Sequence, residues 1–127
     1  MKDTYEQGIA GENAAEQYLS GMGMKTLCRR WKCACGEIDL ILFDTDNTIV
    51  FVEVKNRRSG NPGSGLYAID AKKQKRISKA AMLYLIKYGK TEYNVRFDAV
   101  EVYSGRITYI RDAFEPGGLH FGGGAHL

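Results

Sequence analysis

The sequence predicts a single α/β domain, a mixed central β-sheet flanked by helices in the order α-β-β-β-α-β-β. Three observations lead there. Residues 4–22 and the stretch after Asp70 carry apolar side chains at helical spacing, whereas residues 37–55 alternate with period two about a turn-forming run, Asp44-Thr45-Asp46-Asn47. The chain has 127 residues, enough for one core and too few for two. Its 44% hydrophobic and 26% charged residues are ordinary for a folded protein.

The first helix is expected over residues 4–22, with Tyr5, Gly8, Glu12, Ala15 and Leu19 along one face, so Glu12 falls inside an apolar stripe. Gly21 and Gly23 supply its stop, and residues 25–32 form a short strand of mixed character. Residues 37–43 place Glu37, Asp39, Ile41 and Phe43 on one face and Ile38, Leu40 and Leu42 on the other. Residues 48–55 are a second, β-branched strand in which Phe51, Glu53 and Lys55 share a face, and the two strands make a hairpin. Residues 57–66 are rich in Gly and Ser and read as a mobile loop, a flap over substrate or a linker. Asp70 is placed to cap the next helix, Ile69 to staple it and Gly89 to stop it, with Ile77, Ala81, Tyr84 and Tyr88 as its core stripe. Residues 94–103 and 106–111 make a further strand pair about Ser104-Gly105. The domain is expected over residues 1–115, and the glycine-rich tail, residues 116–127, is expected to be disordered.

Several function classes are excluded early. No apolar run approaches the roughly 20 residues of a membrane-spanning helix. The first residues, Met1-Lys2-Asp3-Thr4-Tyr5-Glu6, lack the features of a secretory signal, so a cytoplasmic protein is expected. Cys28, Cys33 and Cys35 are odd in number and crowded together, which suits reduced thiols better than a disulfide framework or a zinc site.

The net charge of +3 conceals an asymmetry. Between Lys55 and Lys90 ten basic residues face one acid, Asp70, a local charge of +9, while the remainder of the chain carries −6. Such a segment attracts phosphate backbones through its local field. Arg57, Arg58, Lys72, Lys73, Lys75, Arg76 and Lys79 are the candidate nucleic-acid contacts, and a solvated lysine-rich helix face is the plainer alternative.

The two most strand-like segments carry ionisable residues where their own alternation calls for apolar ones. Asp39 shares a face with Ile41 and Phe43; Glu53 and Lys55 share one with Phe51. A turn spanning residues 45–47 sets Asp39 across from Glu53, close enough for both carboxylates to reach one ion. Facing carboxylates repel, so a cation is expected between them; Lys55 offsets one charge, and Mg2+ with its oxygen ligands would offset the rest. Glu12, pointing inward from its helix, is a third acid for the same pocket. The alternative is a solvent-facing side of the sheet with Lys55 as a cross-strand ion-pair partner.

These residues carry a resemblance. Gly36-Glu37-Ile38-Asp39-Leu40-Ile41 followed by Phe51-Val52-Glu53-Val54-Lys55-Asn56-Arg57 resembles the metal-binding signature of the PD-(D/E)XK nuclease superfamily. With Gly11-Glu12-Asn13-Ala14-Ala15 and Tyr18-Leu19 upstream, the pattern is similar to the YraN-like bacterial family of predicted endonucleases and, more distantly, to archaeal Holliday-junction resolvases. The resemblance covers residues 8–114 and implies a restriction-endonuclease-like core. It implies Asp39 and Glu53 as metal ligands with the Val54 carbonyl as a third, Lys55 to position or deprotonate the attacking water, and Glu12 to assist the metal shell. Gln74 falls where related nucleases carry a helical glutamine. Ile38 stands where the signature has its leading proline, a change that removes no ligand.

The expected activity is Mg2+-dependent hydrolysis of DNA phosphodiester bonds, with Mn2+ able to substitute and branched or otherwise structured DNA among the substrates. A homodimer is compatible with this, since symmetric cutting of a junction needs two sites. The alternatives are a nucleic-acid-binding module that keeps the fold without turnover, and a phosphoesterase for small substrates, which so wide a basic segment argues against.

Overall fold

The computed structural model describes residues 3–58 and 69–116, and of residues 3–7 only the helical backbone. Helix α1 spans Asp3–Gly21, β1 Lys25–Cys33, β2 Gly36–Phe43, β3 Thr48–Arg57, α2 Ala71–Lys87, β4 Asn94–Tyr103 and β5 Arg106–Ile110. The five strands form one sheet in chain order, antiparallel throughout except for the parallel pair β3 and β4. The fold is therefore α/β with a mixed sheet and one helix on each face, in the element order expected from the sequence. No described helix is long and apolar enough to cross a membrane.

A parallel pair cannot be joined by a tight turn, so the chain between β3 and β4 crosses one face of the sheet and lays α2 there. Ile77, Ala80, Ala81, Tyr84 and Leu85 of α2 bury against Ile38, Ile41, Ile49, Phe51, Phe97 and Ala99. On the opposite face, Ala15 and Leu19 of α1 pack on Leu40, Leu42, Val50, Val52, Val100 and Val102. Gly11 brings α1 close to β3, because a Cβ there would stand 2.7 Å from the Cβ of Asn56. Helix α2 is capped as its sequence indicates: Asp70 accepts from the Lys73 amide at 2.8 Å, and Gly89, at φ 68°, closes the far end with its N–H on the Ile86 carbonyl and the Lys90 N–H on that of Leu85.

Four sequence expectations shift. The buried stripe of α1 runs through Gly11 rather than Glu12, and Tyr5 lies among the side chains outside the description. Tyr88 is 49% exposed, held beside the Tyr84 ring rather than under the helix. Strand β3 continues through Arg57, where the sequence suggests a loop, because it stays paired to β4 as far as Arg57↔Tyr103. Ile38 packs with Ile41, not with Leu40 and Leu42. Across from Asp39, Arg30 takes the left-handed value φ 53° between the pairs Arg29↔Leu40 and Trp31↔Ile38, while the register of this strand pair shifts farther on, between Thr26 and Cys28. The expected loop over residues 59–66 and the tail from residue 117 lie outside the described residues.

Beneath the α1 side of the sheet lies a charged network. Asp98, fully buried, accepts from Arg96 at 2.9 and 3.0 Å, from the Tyr109 hydroxyl at 2.6 Å and from the Asp112 amide at 2.8 Å. Arg96 also donates to Asp44 at 3.0 Å, tying the β2–β3 turn to β4. Removing one partner of a buried pair strands the other. Asp98→Ala is expected to cost about 3–5 kcal/mol, and Tyr109→Phe about 1 kcal/mol, both read from equilibrium urea unfolding.

Candidate active site

Strands β2 and β3 do not stay together. Their pairing runs from Phe43↔Ile49 to Leu40↔Val52, while β3 goes on beside β4 for five more residues. The same register carried one step further sets Asp39 opposite Glu53, at the point where the strands part. In the gap, the Val54 N–H donates to Asp39 Oδ2 at 2.8 Å instead of to a strand carbonyl. A residue in an extended strand points its N–H and C=O toward the same neighbour, so the Val54 carbonyl faces this gap as well.

The gap opens as a polar cleft of about 300 Å³ lined by Gly36, Glu37, Asp39, Glu53, Lys73, Arg76 and Ile77. Asp39 and Glu53 thus share one cavity, Asp39 half-buried and Glu53 buried. Burial pushes the Asp39 carboxyl up to about 8, with the neighbouring Glu53 charge adding to the rise, Glu12 contributing less, and the Val54 N–H opposing it. Lys55 Nζ stands 3.7 Å from Glu53 Oε2, and Lys73 Nζ, from the first turn of α2, 2.5 Å from the same oxygen. Burial and then the adjacent Lys73 hold the Lys55 ammonium below the usual lysine range. Burial is the largest single influence on Lys73 and disfavours its charge, but its bonds to Glu53 and Lys55 and the charges of Glu53 and Asp39 together outweigh that, and the group lies above that range.

The donor set suits a hard divalent cation. Two carboxylates and a backbone carbonyl are oxygen ligands of the type that Mg2+ prefers, and the raised Asp39 reports buried negative charge that a cation would relieve. Among the described residues no third His, Cys, Asp or Glu joins the pair to make a three-residue ligand set.

The other expected site residues are placed as follows. Glu12 is near enough to act on Asp39 through its charge, but its Oε1 accepts from Arg30 Nε at 2.6 Å. Gln74 turns its amide to the Ile69 carbonyl at 2.9 Å, at the start of its own helix. Lys72, Lys75, Arg76 and Lys79 are exposed along α2, with Arg76 at the rim of the cleft, and Arg58 is exposed after β3. Lys73, expected with them on the surface, is half-buried in the cleft because the third position of α2 faces the sheet. Arg57 lies 3.9 Å from Glu101, an acid with no exposed surface that the sequence pattern alone did not single out. Its signal is the same as that of Glu53: Phe97, Ala99 and Glu101 alternate on one face of a strand, and the last breaks the apolar pattern.

A raised acid stabilises the fold at low pH and loses that contribution as the pH climbs, because the folded state keeps a proton that the unfolded chain releases. For Asp39 the loss runs from about pH 4 to about pH 8. Asp39→Asn keeps the Val54 hydrogen bond without the charge, so the metal-free variant is expected to melt several degrees above the parent at pH 8 and close to it at pH 4, by thermal unfolding in EDTA.

Comparison with known proteins agrees along most of the chain. The UPF0102 protein of Pseudomonas putida strain W619 is 42% identical over 114 residues, covering 85% of this chain and 92% of its own, and that of Caldanaerobacter subterraneus subsp. tengcongensis is 48% identical over 114 residues, covering 84% and 93%. Two solved structures are similar at a greater distance. An EndoMS complex with dsDNA has a TM-score of 0.35 and 26% identity over 58% of this chain and 26% of that one. Pyrococcus furiosus SfsA in complex with Ca2+ has a TM-score of 0.37 and 17% identity over 85% and 63%. At these TM-scores the fold rests on the sheet topology itself. The model of the uncharacterised protein family UPF0102 matches residues 11–102, a span that holds α2, strands β1 to β3, β4 but for its last residue and every residue of the cleft, and the chain belongs to that family.

Proposed function

We propose that this protein is a metal-dependent endonuclease that hydrolyses DNA phosphodiester bonds, with branched or otherwise structured DNA among its substrates. The observation that carries the reading is the cleft at the parting of β2 and β3, where Asp39 and Glu53 meet beside two lysines under a basic helix. Phosphodiester hydrolysis needs a positioned water, neutralisation of the charge that builds on the phosphate, and help for the leaving oxygen. Asp39, Glu53 and the Val54 carbonyl would hold Mg2+, or Mn2+ in its place. Bound there, the ion supplies Lewis-acid stabilisation of the phosphate and lowers the pKa of a coordinated water.

The chain's own groups do the rest. Lys55, half-buried beside Glu53, is placed to orient the water, and its lowered proton affinity suits it to take a proton. The Arg30 pair fixes the Glu12 carboxylate behind the site, where its charge acts on Asp39. Lys72, Lys75, Arg76 and Lys79 give a surface for the sugar-phosphate backbone on the same face of the sheet as the cleft, contacts that position a duplex without reading its sequence.

Wild-type protein is expected to cut a labelled panel of single-stranded, duplex, forked and four-way-junction DNA and RNA with Mg2+ or Mn2+, the branched DNA included. Glu53→Gln and Asp39→Asn are expected to abolish cleavage while DNA binding in gel shifts stays equal or tightens, since each removes a negative charge. Binding without cleavage in all three proteins would make this a non-catalytic nucleic-acid-binding module. Reversing Lys72 and Arg76 to Glu is expected to weaken binding on every sequence and to flatten its salt dependence, by about one unit of slope for each phosphate that is no longer neutralised.

A further inference from the structure

The cleft already contains a cation of its own. Lys73 occupies the third helical position of α2, a first turn that carries no acidic residue and whose free N–H groups disfavour positive charge. Its basic neighbours Lys72, Lys75, Arg76 and Lys79 are exposed, whereas Lys73 turns inward and sets its Nζ on Glu53 Oε2. Lys55 approaches the same oxygen from farther away. Glu53 is thus already faced by two ammonium groups without any metal. A divalent ion that took Glu53 Oε2 as a ligand would meet the ammonium that Lys73 sets on that oxygen, and two cations on one oxygen repel each other strongly in so enclosed a place.

We propose that Lys73 is an internal counter-cation that occupies the metal-binding edge of Glu53 until a divalent ion displaces it, and that the displaced ammonium then contacts a phosphate of the bound nucleic acid. The proposal rests on the metal-dependent reading of the cleft given above. Lysine suits the part, since its charge is a point on a flexible four-carbon stem and swings without disturbing the helix that carries it. Arg76, on the rim of the same cleft, marks the direction in which the released side chain finds phosphate. In this arrangement Glu53 keeps a counter-charge when metal is absent, and metal binding is coupled to readiness for the substrate.

The test is a titration of the full-length protein with Mn2+, following the free ion by electron paramagnetic resonance. Lys73→Met is expected to bind Mn2+ about fivefold or more tightly than the parent, and Lys73→Gln to do the same, because the competing charge is gone. Lys72→Met, which removes an equal charge outside the cleft, is expected to change the affinity by less than about twofold. Equal or weaker binding by both Lys73 variants, or equal tightening by Lys72→Met, overturns the counter-cation. If no variant shows Mn2+ binding that Glu53→Gln abolishes, the metal site itself falls, and the proposal with it. The released ammonium has a separate readout: in Ca2+, Lys73→Met is expected to bind four-way-junction DNA more weakly than the parent, with the two equal in EDTA. Equal affinities in Ca2+ overturn that part.

Discussion

The parallel pairing of β3 with β4 is the constraint from which the rest of the molecule follows. Parallel neighbours require a crossover, the crossover carries α2 over one face, and the opposite face is left for α1. Strand β3 is then covered on both sides and reads as a nearly continuous apolar run, Ile49-Val50-Phe51-Val52, all buried. It pairs with β4 along its whole length but with β2 only as far as Leu40↔Val52. The difference in those two lengths makes the cleft, because the last five residues of β3 keep one strand neighbour and present their other edge to Asp39.

This geometry explains how two carboxylates come to face each other in a folded protein. Asp39 is fixed through the Val54 N–H, which gives to a side chain the hydrogen bond that a continuing ladder would have taken. Glu53 is fixed from the other side by Lys73 and Lys55. Arg30, in its left-handed conformation, lies across from Asp39, and the adjacent Arg29 and Arg30 both reach α1, where they pair with Glu16 and Glu12. A backbone conformation of this cost persists where the surroundings determine it, and Arg30 lies beside the facing carboxylates.

Two polar clusters divide the fold between them. Arg96, Asp98 and Asp44 are buried, joined to the half-buried Tyr109 and tied to the turn at one end of the sheet, with only Arg96 Nη1 left unpartnered among the buried side-chain atoms described. The cleft at the other end is different in kind. Its carboxylates face each other, its lysines are half-buried rather than locked, and it opens between exposed basic residues of α2. The first cluster is built to hold the sheet, and the second keeps two acids in a place where a ligand would relieve their repulsion.

Much of this was determined by the sequence alone. The period-two alternation of residues 37–55 and the Asp-Thr-Asp-Asn turn set the hairpin register, and with it the facing of Asp39 and Glu53. Asp70 and Gly89 marked the ends of α2, and the apolar spacing of Ala15 and Leu19 marked the buried side of α1. What the tertiary structure decided is how each charged side chain is used, because charge on a helix is silent about direction until the helix has docked. Lys73 could not be told from Lys72 or Lys75 by composition, yet the rotation of α2 on the sheet puts one in the cleft and leaves the others exposed. Glu12 meets Arg30 only because β1 takes a left-handed residue that no periodicity announces, and Gln74 is taken by the start of its own helix, a local bond that competes with any longer reach. Local pattern fixed which elements form and which residues break their pattern; the packing of one element on another fixed which of those residues meet.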